Sequence, residues 1–134
     1  MKRLIIVAVV IALAASLAAA MGSPASAGKR GVFAGVWEAT DLGDGSNVTM
    51  WLTQDGSHYD MLIYDNLGTT CDPDAPANIL GEARLRGDVL SLTGEGWCLS
   101  ASPTYLGSLG WSVTYDPSTD TMVDPIDGQT WHRR

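Results

Sequence analysis

The chain has 134 residues, a formal net charge of −7 and 46% hydrophobic residues against 17% charged ones. That length holds one folded domain, not two, once an N-terminal leader is set aside. The acidic balance repels phosphate backbones and anionic lipid, so nucleic acid and membrane surfaces are poor partners.

The N-terminus places Lys2 and Arg3 before an apolar or small run from Leu4 to Met21, then Gly22, Ser23, Pro24 and the triplet Ala25-Ser26-Ala27. A positive start, an apolar centre and a small-residue cleavage site predict a helical signal peptide over residues 1–27. The rival reading is an uncleaved membrane anchor, since the run is just long enough to span a bilayer. No cysteine near the cleavage point offers a lipid attachment site. Bacterial export then leaves a single secreted domain, residues 28–134, in which six basic and fifteen acidic side chains give −9.

Within that domain, Gly35 to Asn66 is cut by Asp44-Gly45 and Asp55-Gly56 into three runs rich in Val, Thr, Trp, Tyr and Ile. Asp-Gly between alternating apolar runs is a strong hairpin signal, because tight hairpin turns need positive φ. A three-stranded meander is expected, over about Val36–Asp41, Asn47–Gln54 and His58–Asp65. Period two puts Trp37 and Ala39, then Val48, Met50 and Leu52, then Tyr59, Met61 and Ile63, each on one face of its strand.

Leu67 to Ala77, with Gly68, Cys71, Pro73 and Pro76, reads as a loop. Further strands are expected at about Asn78–Arg86, Val89–Thr93, Ser108–Tyr115, Thr121–Val123 and Gln129–Arg133. Gly94 to Gly107, which holds Trp97, Cys98 and Pro103, is the least readable part and no strand is expected in it. Eight short strands with frequent turn signals and no βαβ alternation predict an all-β, antiparallel up-and-down barrel or a sandwich; the barrel is preferred. Cys71 and Cys98, an even pair in an exported chain, predict one disulfide. It closes a loop of 28 residues counting both ends. Loop-closure entropy makes that worth about 3–4 kcal/mol.

No local motif carries a chemistry. His58 and His132 have no adjacent nucleophile, and neither G-x-S-x-G, H-E-x-x-H nor a glycine-rich phosphate loop occurs. The series Asp116, Asp120, Asp124, Asp127 sits where turns already favour Asp, and no cofactor or metal site is expected. Arg86-Gly87-Asp88 reads as a hairpin tip, and the sequon Asn47-Val48-Thr49 falls inside a strand. An enzyme is not expected; it survives only as the case where catalytic groups converge from distant strands.

The aromatic inventory is more informative: Trp37, Trp51, Trp97, Trp111 and Trp131 are more tryptophan than a small core needs. They point to a packed barrel interior or to an aromatic pocket open at one end. Met50, Trp51, Leu52, Tyr59 and Trp111 are the candidate ligand-binding residues, because the second strand carries apolar bulk on both faces. The expected function is a non-catalytic module holding a small apolar or aromatic ligand. The alternative is an extracellular protein-interaction or inhibitor domain using its outer face, with Trp51 as a contact.

Gly35-Val36-Trp37 on the first strand and Arg133, two residues after Trp131 on the last, resemble the G-x-W and arginine signature of calycins, the barrels of lipocalin, fatty-acid-binding and avidin type. The resemblance implies closure of the barrel through Trp37, Trp131 and Arg133, the guanidinium stacking on an indole. The run from Gly35 through Gly45-Ser46 to Gly56 and Tyr59 resembles the opening hairpins of avidin-like barrels, without their biotin-contacting pattern. The ending Tyr115-Asp116-Pro117, Asp120, Asp124, Gly128, Trp131, Arg133, with the two cysteines, resembles uncharacterised bacterial secreted β domains, a family that implies no activity.

Overall fold

The computed structural model describes residues 31–71 and 75–134, and the signal peptide expected over residues 1–27 lies outside them. Eight antiparallel strands follow in chain order: β1 (Gly35–Thr40), β2 (Asn47–Asp55), β3 (His58–Asp65), β4 (Ala77–Arg86), β5 (Val89–Cys98), β6 (Thr104–Asp116), β7 (Thr121–Val123) and β8 (Thr130–Arg133). Each pairs with its sequence neighbour, and β8 returns to β1 through Trp37↔Arg133 and Glu38↔His132, closing the barrel. The strands lie in one unit, Phe33–Arg134. Cys71 and Cys98 are disulfide-bonded. No helix among the described residues is long and apolar enough to cross a membrane.

The meander forms because its alternation and its turns agree. Gly56 supplies the positive φ (56°) of the tight β2–β3 turn, with Asp55 paired to His58. Its register sets Met50 opposite Ile63 and Leu52 opposite Met61, so both strands bury the same set of apolar residues. Trp37, Met50, Leu90, Leu92, Val113 and Met122 are all fully buried, and they fill the barrel from β1 round to β7.

Two strands are longer than the sequence reading allowed. β5 runs on to Cys98 and β6 begins at Thr104, so most of Gly94 to Gly107 is sheet. The glycines there are not strand breakers; they let backbones and side chains approach. A Cβ on Gly94 would lie 2.8 Å from the Ile79 methyl, and one on Gly81 would run into the Thr93 carbonyl. Gly81 and Gly94 face each other across β4 and β5, where the sheet bends to close. The register then shifts at Gly96/Trp97, beside Gly107. That is a bulge, which increases local twist near the rim.

Candidate functional site

An up-and-down barrel has two ends, and here the ends differ. One end collects the β2–β3, β4–β5 and β6–β7 hairpins with the start of β1 and the end of β8. Aromatic side chains plug it. Phe33 meets Tyr59 and Tyr115 edge-on at 6.2 and 5.8 Å, and Trp37 meets Tyr115 at 6.3 Å. The Trp37 indole N–H donates to the Phe33 carbonyl at 2.9 Å, fixing the lead-in over the barrel floor.

Arg133 completes this plug. Its guanidinium carbon sits 4.1 Å from the Trp37 centroid, its Nε donates to both Asp120 oxygens at 2.9 and 3.0 Å, and an Nη donates to the Ala34 carbonyl at 2.8 Å. The Tyr115 hydroxyl donates to the same carboxylate at 2.9 Å. That bond, followed by Arg133, holds the Asp120 carboxyl below the ordinary carboxylate range. In return the bond to Asp120, with burial, raises the Tyr115 phenol. Arg133, Asp120, Tyr115 and the Ala34 carbonyl thus form one linked polar network that closes the barrel at this end.

The other end, formed by the loops β1–β2, β3–β4, β5–β6 and β7–β8, opens into a cavity of about 760 Å³. Its walls include Val48, Ile63, Ile79, Leu109, Trp111 and Trp131. No β5 residue is among its described lining residues, and Leu106 and Leu109 lie over Gly96. The disulfide ties the β3–β4 loop down beside it, where Cys71 and Cys98 pack with Ala75, Ala77 and Leu106.

Aspartates rim this mouth, and each shapes its loop by accepting a backbone N–H two residues on. Asp41 accepts from Gly43 (2.6 Å), Asp44 from Ser46 (2.8 Å), Asp65 from Leu67 (3.0 Å), Asp124 from Ile126 (2.7 Å) and Asp127 from Gln129 (2.8 Å). The Ser46 N–H is the main reason that the Asp44 carboxyl is held below its ordinary range. All five line the cavity, and no Lys, Arg or His is among its described lining residues.

The sequence candidates divide between these regions. Met50, Leu52 and Tyr59 are buried in the filled half, and Trp51 points outward at 36% exposure. Trp111 lines the cavity, as does Trp131, which the resemblance grouped with the closure pair. Two residues along a strand is about 7 Å, enough to carry Trp131 from the plug to the cavity floor. Val48, inward on the second strand beside Met50 and Leu52, does line the cavity, whereas Ile63, Ile79, Leu109 and the rim aspartates carry no local signal for ligand binding. Their signal is inward parity combined with nearness to the β1–β2, β3–β4, β5–β6 and β7–β8 loops, which converge only once the barrel is closed.

Of the acidic series in the C-terminal part, Asp116 and Asp120 flank the β6–β7 turn at the plugged end, while Asp124 and Asp127 lie at the mouth. They do not gather around one point. Asp55, His58 and Asp60 do cluster at the β2–β3 hairpin, with the His58 Nε2 3.8 and 3.7 Å from the two carboxylates. That cluster is surface-facing and distant from the cavity lining.

The outer wall carries a second apolar feature. Trp51, Leu62 and Leu80 are consecutive cross-strand partners on β2, β3 and β4, and all are exposed. One row nearer the mouth, Tyr64, Asn78, Trp97 and Tyr105 follow in register, the last two rings 4.8 Å apart. No family model, curated protein or solved structure matches this chain.

Proposed function

We propose that this chain is a secreted, non-catalytic binding module that holds a small apolar or aromatic ligand in the mouth of a calycin-like barrel. One observation carries the proposal: a cavity of about 760 Å³, walled by apolar and indole side chains, faces away from a plugged end. Small-molecule sites fall in the range of about 300–1,000 Å³, and eight-stranded barrels are just wide enough for one such guest. The disulfide agrees with an oxidising, extracellular setting. The first-strand Gly35-Val36-Trp37 beneath Arg133 supports kinship with calycins and with bacterial secreted β domains.

Uptake of the neutral dye N-phenylnaphthylamine tests this. The wild type should enhance its emission with saturable, stoichiometric binding. Val48→Trp, which places an indole into the cavity from β2, should abolish that signal while costing less than about 1 kcal/mol of stability, because the space is open. Absence of saturable binding to the wild type, or undiminished binding to a folded Val48→Trp, would remove the small-ligand proposal.

A second reading, a protein-interaction or inhibitor domain, is favoured by the exposed rows Trp51-Leu62-Leu80 and Tyr64-Trp97-Tyr105 on the outer wall. Aromatic anchors of this kind are common in protein contacts.

A further inference from the structure

We propose that the β2–β3 hairpin carries a binding site for one transition-metal cation of the Zn²⁺ or Cu²⁺ class, held by Asp55, His58 and Asp60. The site stands apart from the small-ligand proposal and lies at the plugged end of the barrel. One ligand atom from each of the three side chains lies within 4.8 Å of the other two. The His58 Nε2 is 3.8 Å from Asp55 Oδ2 and 3.7 Å from Asp60 Oδ1. Those spacings are too long for hydrogen bonds. They are close to what a shared ion needs, because nitrogen and oxygen ligands bound tetrahedrally at about 2.0–2.2 Å lie about 3.3–3.6 Å apart. Rotation of two exposed carboxylates closes the remaining few tenths of an ångström.

The fold sets the three side chains in place. Asp55 and His58 are cross-strand partners on either side of the Gly56 turn, so their side chains share the outer face. Asp60 follows two residues after His58, on that same face. Between them Tyr59 points inward, 2% exposed, and meets Phe33 edge-on. The strand that carries two of the three ligands is therefore anchored in the aromatic plug. Ligands on paired strands are held more closely than ligands on loops.

Among the described residues no Arg pairs with Asp55 or Asp60. Arg84, on the neighbouring strand, is taken up by Glu82 through bonds of 2.9 and 3.1 Å. The imidazole separates this trio from a plain acidic cluster and sets the class of cation. One nitrogen beside two carboxylates suits Zn²⁺, Cu²⁺ or Ni²⁺, whereas Ca²⁺ and Mg²⁺ take all-oxygen sets. Three protein ligands leave at least one position to water. The plain alternative is a surface ion pair, which contributes little at such exposure.

The experiment titrates Zn²⁺ into the disulfide-bonded protein, stripped beforehand with a chelator, and follows binding by calorimetry. One equivalent should bind with a Kd below about 0.1 mM, and Mg²⁺ or Ca²⁺ at equal concentration should not displace it. His58→Gln and Asp60→Asn should each weaken binding about tenfold or more, at least the cost of losing an outer-shell partner. His132→Gln removes the only other histidine and should leave binding unchanged. Absence of one-to-one Zn²⁺ binding by the wild type, or undiminished binding by a folded His58→Gln, would overturn the site. Equal weakening by His132→Gln would place the ion elsewhere and overturn it too. Displacement by Ca²⁺ or Mg²⁺ at equal concentration would overturn the class of cation. If His58→Gln does not fold, Asp60→Asn decides by the same two readings.

Discussion

The plugged end and the mouth are built from the same eight strands, yet one is filled and the other open. At the plugged end Phe33, Trp37, Tyr59 and Tyr115 bring large rings inward, and Arg133 seals them against Asp120. At the mouth order comes from a disulfide and from aspartate-capped loops rather than from bulk. The contrast teaches how a small barrel can be stable and still hold space. Packing energy is concentrated at one pole, which lets the other tolerate unfilled volume. Tertiary stability should therefore respond to changes at the plug, and guest binding to changes at the mouth.

The largest break in that comparison is Trp37→Ala. Trp37 is fully buried and carries both the Phe33 hydrogen bond and the Arg133 stack. Truncation should cost about 3–5 kcal/mol, measured as the shift in chemical denaturation. A loss below about 1 kcal/mol would mean that the plug is not where packing is concentrated. The comparison sharpens next on β2, where Met50 and Val48 are inward neighbours in different halves. Met50→Trp should cost about 1–3 kcal/mol by overpacking the filled half. Val48→Trp, only two residues away, should cost clearly less. Equal costs would mean that the interior is uniformly filled.

The eight-stranded barrel was legible because local signals agreed: Asp-Gly turns, period two and an even cysteine pair all pointed to short antiparallel strands. The extents of β5 and β6 were not. Gly94, Gly96 and Gly107 look like breakers when read singly, but Gly94 and Gly96 are close-approach positions set by Ile79, Leu80, Leu106 and Leu109 on neighbouring strands, and Gly107 sits beside the register shift between β5 and β6. The mouth was hidden for a related reason. Asp41, Asp65, Asp124 and Trp111 are far apart in sequence, and only the closed register brings them around one opening. Apolar character and parity mark Met50, Leu52 and Tyr59 as interior, but they do not give height along the barrel axis. The Trp37–Arg133 stack is a long-range relation that periodicity cannot supply, and only the resemblance to a known closure points to it.

Arg133→Ala separates the seal from the packing beneath it. It removes the stack on Trp37, both bonds to Asp120 and the bond to the Ala34 carbonyl, and should cost about 1–3 kcal/mol. Dye binding at the mouth should persist in the folded fraction. An unchanged denaturation midpoint would show that the barrel closes without this residue. Loss of dye binding at full folding would show that the two ends are coupled.

The smallest effect concerns the proton shared in influence between Tyr115 and Asp120, and it works in two pH windows. Asp120 is held below its ordinary value of 3.8, first by the Tyr115 hydroxyl and then by Arg133. A lowered folded value means that this contribution is present above about pH 4 and is lost as pH falls through the folded value. Tyr115 is raised above its ordinary value of 10.0, first by the bond to Asp120 and then by burial. A raised folded value means that its contribution is full below pH 10 and fades as pH climbs through the folded value. Acid loss alone is ambiguous, because Asp44, Asp116 and Glu82 are lowered too. Tyr115→Phe resolves it by removing the hydroxyl and leaving the ring against Phe33 and Trp37. Denaturation midpoints of wild type and Tyr115→Phe, compared across the pH range, should differ most near neutrality and converge at both extremes. A difference that stays constant from acid to alkaline pH would mean that the Tyr115–Asp120 bond adds nothing to the seal and that the plug is held by its rings alone.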